Sequence, residues 1–442
     1  MATRTALTQG LDITALWSEQ TTTGPLQKIN HTLCRLGIAC NGTLATRFVT
    51  DKGDTGDRVE VPAYYLAEWL AVNWWAIFHE PIKSDDESDT AGNNDGFQER
   101  HWIGAARNGF SLPDLWLVPV GDEMQVDATS TYLSGSRLKF LGNSSYKIPV
   151  SQAKISTTTF VNSVISRLKS KGLLDTELQE VWSLVEATND AERTFCERIG
   201  ALGLSPYNEY PEIEKALDLA AEALPDHIVR DLCEAATPEN FVDMARWVSQ
   251  AFEALNARNA VIDFSEIPER PITSDPRPWS WGKKAATILR DSFSLAPTDP
   301  SSGKEILSRL GADPKSMDTF LTINELLGIE GALDRLDDGV RLVIASNKEL
   351  PQRLFAMARA LFLGWGAGKQ DARLITRAHT AEQQASRAFA AELLAPIAYI
   401  RSRVGSGIAS NHRLGEIAHE LGVSLKVIFY QAQNNHLSIA GR

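Results

Sequence analysis

Residues Phe355 to Pro396 read FAMARALFLGWGAGKQDARLITRAHTAEQQASRAFAAELLAP. The opening segment, FAMARALFL, is apolar on almost every side, which is typical of a buried helix. The closing segment, QQASRAFAAELLAP, is rich in Ala and Leu and stops at Pro396, as a helix end does. The stretch therefore predicts two helices, and we expect these helices to pack against each other.

The closing segment carries a specific motif. It resembles the second helix of the ImmA/IrrE family of metallopeptidases, which reads ExxANxFAAxLLMP, and the opening segment is placed like the family's first helix, FTLAHELGH. The residues that match in the second helix are Phe389, Ala390, Ala391, Leu393, Leu394 and Pro396. In the first helix Phe355 and Ala358 match. The resemblance extends over about residues 276–436 and implies a zincin-like domain.

The side chains that would bind zinc are absent at the matching positions. The HExxH motif falls on Arg359, Ala360 and Leu363, and the third ligand, a Glu in the family, falls on Gln383 with Glu382 beside it. A zinc hydrolase needs two neutral imidazoles, a general base and a third ligand. Arginine has no lone pair to give, and alanine and leucine have no donor atom. We therefore interpret these positions as vestiges of a metal site, with no catalytic residue and no cofactor.

The resemblance suggests a function without cleavage. A peptidase scaffold that lacks its metal keeps the groove, so we expect a regulatory or sensor protein that binds a protein partner, or a peptide or small molecule, in a stress, mobile-element or phage-defence setting. The groove residues would be Arg359, Glu382, Gln383 and Glu392. A buried guanidinium needs an anionic partner. We expect Glu382, Glu392 or a bound anion to supply it.

Two alternatives stay open. One is an active zinc endopeptidase whose ligands have moved, drawn from His379, Glu382, His412 and His419. The other is a DNA-binding regulator that uses residues 414–433, where the pattern LGEIAHELGVSLKVIFYQAQ predicts a helix-turn-helix. Within that pattern His419 reads as a solvent-facing helix residue, and Lys426 is the one cation of the presumed recognition helix.

Composition narrows the class of protein. With 44 basic and 56 acidic residues, the net charge of −12 disfavours nucleic-acid binding by the whole surface. The four cysteines form no CxxC pair, which favours a reducing compartment. The sequence contains no apolar run of the roughly 20 residues that a membrane helix needs. We expect a cytoplasmic protein that does not bind membranes.

The chain order predicts an α+β protein that is mostly α. A tryptophan-rich α+β domain would span residues 1–155, with hairpins over Leu115 to Ala128 and Arg137 to Val150. Its tryptophans suit either core packing or a partner pocket. A helical domain would follow over 156–260, a proline-rich linker over 261–278, and the peptidase-like domain over 279–442, with the helix-turn-helix near its end.

Overall fold

The computed structural model describes residues 10–19, 26–83, 95–132, 137–256, 262–269, 277–312, 328–344, 349–366, 371–405 and 407–440. The fold is α+β with more helix than strand, as the sequence predicts. The chain forms two compact units, residues 1–209 and residues 210–442. No helix within the described ranges is both long enough and apolar enough to cross a membrane.

The first unit consists of short strands followed by helices. Its elements are β1 (Leu11–Trp17), α1 (Gln27–His31), β2 (Leu33–Cys40), β3 (Thr43–Leu44), β4 (Phe48–Thr50), β5 (Thr55–Gly56), β6 (Val59–Pro62), α2 (Ala63–Val72), α3 (Trp74–His79), α4 (Asp95–His101), a 3-10 turn (Ile103–Ala106), β7 (Asp114–Val120), β8 (Glu123–Thr129), β9 (Thr131–Tyr132), β10 (Leu138–Phe140), β11 (Ser144–Pro149), α5 (Val150–Ser170), α6 (Glu177–Ala187) and α7 (Asp190–Ala201).

The second unit consists of helices around one sheet. Its elements are α8 (Pro211–Ala223), α9 (Asp226–Ala235), α10 (Phe241–Asn256), β12 (Ile262–Asp263), α11 (Pro278–Ser292), α12 (Ser302–Arg309), β13 (Ile329–Arg335), β14 (Gly339–Ile344), α13 (Leu350–Gly366), β15 (Ala372–Thr376), α14 (Ala381–Leu394), α15 (Ile397–Val404), α16 (Asn411–Leu421) and α17 (Leu425–Asn434).

Three small antiparallel sheets lie in the first unit. Their strand orders are β1-β2-β3 with β6 also on β2, β5-β4-β10-β9, and β11-β8-β7. The predicted hairpin over Leu115 to Ala128 is present as β7 and β8. The predicted hairpin over Arg137 to Val150 is wrong, because β10 pairs with β4 and β9 while β11 pairs with β8. The chain changes sheets at Gly142, whose Cα is so close to Ala45 that a Cβ would lie 2.8 Å from the Ala45 Cα.

The predicted helical domain over 156–260 does not coincide with either of the two compact units. The boundary between the two units falls inside it, so α5, α6 and α7 belong to the first unit and α8, α9 and α10 to the second. Helical periodicity reports which face of a helix is buried, but it does not report which partner buries that face. The domain limits predicted from the sequence differ from the structure for this reason.

The two ends of the predicted linker over 261–278 belong to regular elements in the structure. Its first residues form β12, which pairs with β14 at the edge of the sheet, and Pro278 opens α11 at the first helical turn. Residues 270–276, which hold two of the prolines, lie outside the described part of the chain.

The sheet of the second unit has the order β12-β14-β13-β15 and is antiparallel throughout. Both of its faces are buried. Leu333 and Leu342 point into the main core with α13, whereas Ala332, Val343 and Leu374 are fully buried on the other face. Helices α9 and α10 pack against this second face. The apolar run Leu342, Val343 and Ile344 at the end of β14 reflects burial on both sides.

Candidate functional site

Helices α13 and α14 pack against each other, as the sequence predicts. The Phe362 and Phe389 rings lie with their centroids 5.2 Å apart, and α13 is buried from Leu354 to Trp365 apart from the partly buried Phe355. Helix α11 packs closely on α14 because Gly282 lacks a side chain. A Cβ at this position would lie 2.1 Å from the Ala385 carbonyl oxygen. The two helices of the motif are thereby fixed in one core.

Arg359 lies at the centre of this contact and is 1% exposed. Its Nε donates to Ser386 Oγ at 3.0 Å, and Nη1 donates to Glu330 Oε2 at 2.6 Å. Its Nη2 donates to the Thr376 carbonyl at 2.7 Å and to Gln383 Oε1 at 2.5 Å. The guanidinium therefore joins α13, α14, β13 and β15, and its charge is balanced by a carboxylate of the same chain.

Gln383 closes the free edge of β15. The Asp371 carbonyl accepts from the Arg335 amide of β13, and the Arg377 amide donates to the Gly328 carbonyl just before β13. The backbone N–H and C=O groups of the even-numbered residues of β15 therefore point away from β13. On that outer edge Gln383 Nε2 donates to the Leu374 carbonyl at 2.8 Å, and the Thr376 amide donates to Gln383 Oε1 at 3.1 Å. The side-chain amide thus pairs with the strand as a neighbouring peptide group would.

Other side chains occupy the remaining outward carbonyls of β15. His227 Nε2 lies 2.9 Å from the Ala372 carbonyl, and Arg387 donates to the Thr376 carbonyl at 3.4 Å, beside the bond from Arg359. The outer edge of this strand is therefore capped by its own unit. A peptide that added to the sheet here would first have to displace these side chains.

The predicted groove residues do not form one site. Arg359 and Gln383 meet, but Glu382 is exposed and lies 3.8 Å from Arg373 Nε. Glu392 lies near the other end of α14, where its carboxylate accepts from Gln431 Nε2 at 3.0 Å and from the Ile397 amide at 3.3 Å. Burial raises the pKa of Glu392, and the hydrogen bond from Gln431 opposes this rise.

The expected partner of Arg359 is corrected. Neither Glu382, Glu392 nor an added anion balances its charge, because Glu330 of β13 does so. Glu330 also lies 3.6 Å from Arg377 Nε. A strand position 29 residues before Arg359 gives no local signal of this pairing. Glu330 is one of two carboxylates in β13, and its neighbours in the sequence do not mark it as the partner of Arg359.

The residues present do not fit a zinc ion. At the matching HExxH positions Ala360 is fully buried, Leu363 is 3% exposed, and Arg359 presents only N–H donors. Gln383 offers one neutral oxygen, which already accepts from Arg359 and from the Thr376 amide. A zinc ligand must present a free lone pair.

The relocated ligand set is not assembled either. His412 and His419 are exposed on α16, and His412 lies 3.7 Å from Glu416, one helical turn away. Within the described ranges, no group of three or more His, Cys, Asp or Glu side chains is arranged to hold a metal. His379 lies just before α14 and Glu382 lies in its first turn, and neither belongs to such a group within the described part of the chain.

The segment after the motif has the predicted helix-turn-helix layout. Helix α16 ends at Gly422, which has a left-handed backbone (φ 65°), and Ser424 caps α17 by accepting from the Val427 amide. His419 faces solvent, as expected. Lys426 lies 5.7 Å from the centre of the Tyr430 ring. The two helices contact each other, and α17 also contacts α14 and α15.

His101 belongs to a buried cluster of charged and polar side chains in the first unit. Its Nδ1 lies 2.7 Å from the Leu117 carbonyl, its Nε2 lies 3.2 Å from Glu80, and Phe97 stacks on its ring. Arg100 binds both oxygens of Glu80, at 2.6 and 2.5 Å. Burial would raise the pKa of Glu80, but the hydrogen bonds from Arg100 and His101 lower it to about 2. These groups hold α4 against β7.

Comparison with models of protein families, with curated proteins and with solved structures gave no match.

Proposed function

We propose that the chain is a non-catalytic regulatory protein whose last domain uses an ImmA/IrrE-like, zincin-like scaffold. The observation that carries the proposal is the 2.5 Å hydrogen bond between Arg359 and Gln383. These two residues fall at a first-ligand and a third-ligand position of the family pattern, 24 positions apart in the chain. Their contact is what an alignment with that scaffold requires, and their chemistry is what a zinc site cannot use.

The contacts of Arg359 and Gln383 also bear on which surface a partner would bind. The guanidinium of Arg359 is buried and satisfied, and the outer edge of β15 is capped by Gln383 and His227. The former metal site therefore serves as an internal connection of the second unit. Binding of a protein partner falls to exposed surfaces, and the free, buried cysteines fit the proposed cytosolic setting.

Restoring the ligands tests the scaffold. The variant Arg359→His, Ala360→Glu, Leu363→His, Gln383→Glu recreates the family's donor set, and we expect it to bind about one equivalent of zinc. The matched control keeps Leu363 and carries the other three changes, so it lacks one imidazole. Zinc is measured by mass spectrometry after purification without chelator, and near-ultraviolet circular dichroism checks the fold.

Three outcomes separate the ideas. Zinc in the fourfold variant but not in the wild type or the threefold control supports an inert scaffold of this family. One equivalent of zinc in the wild type, lost on Glu382→Ala, means that the chain is a peptidase with relocated ligands. A folded fourfold variant that binds no zinc contradicts the family resemblance itself.

DNA binding is the second candidate, because α16 and α17 form a helix-turn-helix with an exposed Lys426 at the start of α17. Residues 397–442 also hold five Lys and Arg against two Glu, unlike the acidic chain as a whole. Binding to random duplex DNA that weakens with salt and is lost in Lys426→Glu would favour this function. A salt-insensitive or absent interaction at nanomolar protein would remove it.

A further inference from the structure

The tryptophans of the first unit divide into two groups. Trp69, Trp74 and Trp75 are at most 8% exposed and belong to the core. Trp102 and Trp116 are half-buried, and their rings lie with centroids 6.3 Å apart at 30° to each other. Core packing explains the first group and leaves the second without a reason for its exposure.

Trp116 stands beside an acidic residue on the same sheet face. The β7–β8 register places it opposite Asp127, so the two side chains point to the same side. We call Trp102, Trp116 and Asp127 the aromatic–acidic face. Trp102 is held in place on this face because its Nε1 donates to Asp114 Oδ1 at 2.6 Å.

One of the two oxygens of the Asp127 carboxylate lacks a donor among the described residues. Its Oδ2 accepts from Gln125 Nε2 at 2.7 Å, but its buried Oδ1 has no hydrogen-bond partner among the described residues. Leaving a carboxylate oxygen buried without a donor is unfavourable. Asp127 as a whole is half-buried rather than enclosed, so the residue lies at the surface of this face.

The same face already accommodates one guanidinium. Arg107 places its guanidinium carbon 4.5 Å from the centre of the Trp102 ring. The first unit as a whole carries 26 acidic and 18 basic residues over 1–209, a net charge of −8, which attracts cations. Arginine pairs with carboxylates in a planar, two-point geometry and stacks on aromatic rings, so it fits both Trp116 and Asp127.

We propose that the aromatic–acidic face binds an arginine side chain in a basic segment of a partner protein, with the guanidinium over Trp116 and an N–H donated to Asp127. The proposal names a partner surface for this chain that does not depend on the peptidase-like scaffold. It holds or fails whether or not the restored variant described above binds zinc.

The test uses the full chain and an amidated decapeptide of alternating Arg and Gly. The reference peptide carries citrulline at each arginine, which keeps the shape and removes the charge. Calorimetric titration gives the dissociation constant for the wild type, for Asp127→Asn and for the control Asp175→Asn, an exposed acid of the same unit. We expect Asp127→Asn and the citrulline peptide to weaken binding about 10-fold each, and Asp175→Asn to have no effect.

A Trp116→Leu variant and a lysine peptide complete the design. Loss of binding in Trp116→Leu, with thermal unfolding unchanged, supports stacking on the indole. Equal affinity for the arginine and citrulline peptides, or equal losses in Asp127→Asn and Asp175→Asn, overturns the proposal, since either result reduces the interaction to general charge or none. Preference for the lysine peptide overturns the assignment to arginine.

Discussion

Arg359 connects helices α13 and α14 with strands β13 and β15 from one buried position. Its guanidinium is 1% exposed and bonds to Glu330, Gln383 and the Thr376 carbonyl. Replacing it by Met, of similar length, would remove the guanidinium that pairs with the Glu330 carboxylate. Gln383 Oε1 would keep the Thr376 amide as a donor, and the Thr376 carbonyl would keep Arg387. We expect the Arg359→Met variant to lose about 3–5 kcal/mol of unfolding free energy, as is usual when one partner of a buried pair is removed. Urea unfolding followed by circular dichroism measures the loss.

A second substitution serves as the control for that variant. In Arg359→Met/Glu330→Gln the charge of the carboxylate is removed together with its guanidinium partner, so the double change should cost less than the sum of the two single changes. Additive costs would mean that the 2.6 Å contact between the two side chains contributes nothing to stability. In that case the interpretation of Arg359 as the charge centre of the core would be wrong.

The sequence alone indicates that Arg359 and Gln383 are important positions, but it does not indicate which residues contact Arg359. Arg359 and Gln383 stand out because of the resemblance to the ImmA/IrrE pattern, which implies the spacing between them. Glu330, Ser386 and the Thr376 carbonyl do not stand out, because they reach Arg359 only after β13, β15 and α14 are placed. The same limit explains why Glu382, one residue from Gln383, was expected in the groove. One step along a helix turns a side chain by about 100°, which is enough to expose it.

The outer edge of β15 permits a prediction at the scale of one element. In Gln383→Met the Thr376 amide loses its acceptor, whereas the amides that face β13 keep theirs. We expect hydrogen exchange at Thr376 to become about 5- to 10-fold faster, in line with the loss of one hydrogen bond. Exchange at Ile375, which faces β13, is the internal control and should not change. Faster exchange at both residues would mean that the whole strand has loosened.

Asp231 on α9 makes a pH-dependent contribution where that helix packs on β15. Burial, with the nearby carboxylate of Glu234, raises the pKa of Asp231 to about 7, from 3.8 in an unfolded chain, against the pull of Arg230, Arg373 and His227. A raised pKa means that the folded state binds the proton more tightly. Stability from this group is therefore full below about pH 4 and is lost as the pH rises through 7.

The variant Asp231→Asn removes this dependence. At pH 8 we expect it to be more stable than the wild type by about 2 kcal/mol, less than the ~4 kcal/mol of the full shift because the side chain keeps some contact with water. At pH 4 the two proteins should be equally stable. Thermal unfolding at both pH values measures the difference. An advantage that persists at pH 4 would point to packing rather than to the charge of Asp231.

Element prediction succeeded where periodicity carried the information. The helices of the motif, the β7–β8 hairpin and the helix-turn-helix each have a local pattern and were found. The hairpin over Arg137 to Val150 failed because its turn sequence, around Gly142, is equally suited to a change of sheet. What decides between the two is the close approach of Gly142 to Ala45, nearly a hundred residues earlier, and no local pattern reports such a contact.

At the scale of the whole molecule, the question is where the second unit begins along the chain. The sequence placed a domain start at residue 279, after a proline-rich segment. In the structure α9 and α10 cover one face of the sheet, and Arg341 of β14 donates to the Leu255 carbonyl of α10 at 3.1 Å. A proline-rich segment marks a stiff connection, but it does not show that the elements on its two sides are independent.

Expressing two fragments tests which limit is correct. Residues 210–442 keep α8, α9 and α10, and we expect this fragment to unfold in a single cooperative urea transition. Residues 277–442 lack these helices, so Ala332, Val343 and Leu374, fully buried in the whole unit, would be exposed to water. We expect the shorter fragment to show no cooperative transition, or one at much lower urea. Equal midpoints for the two fragments would restore the boundary near 279, because they would mean that the sheet is stable without the preceding helices.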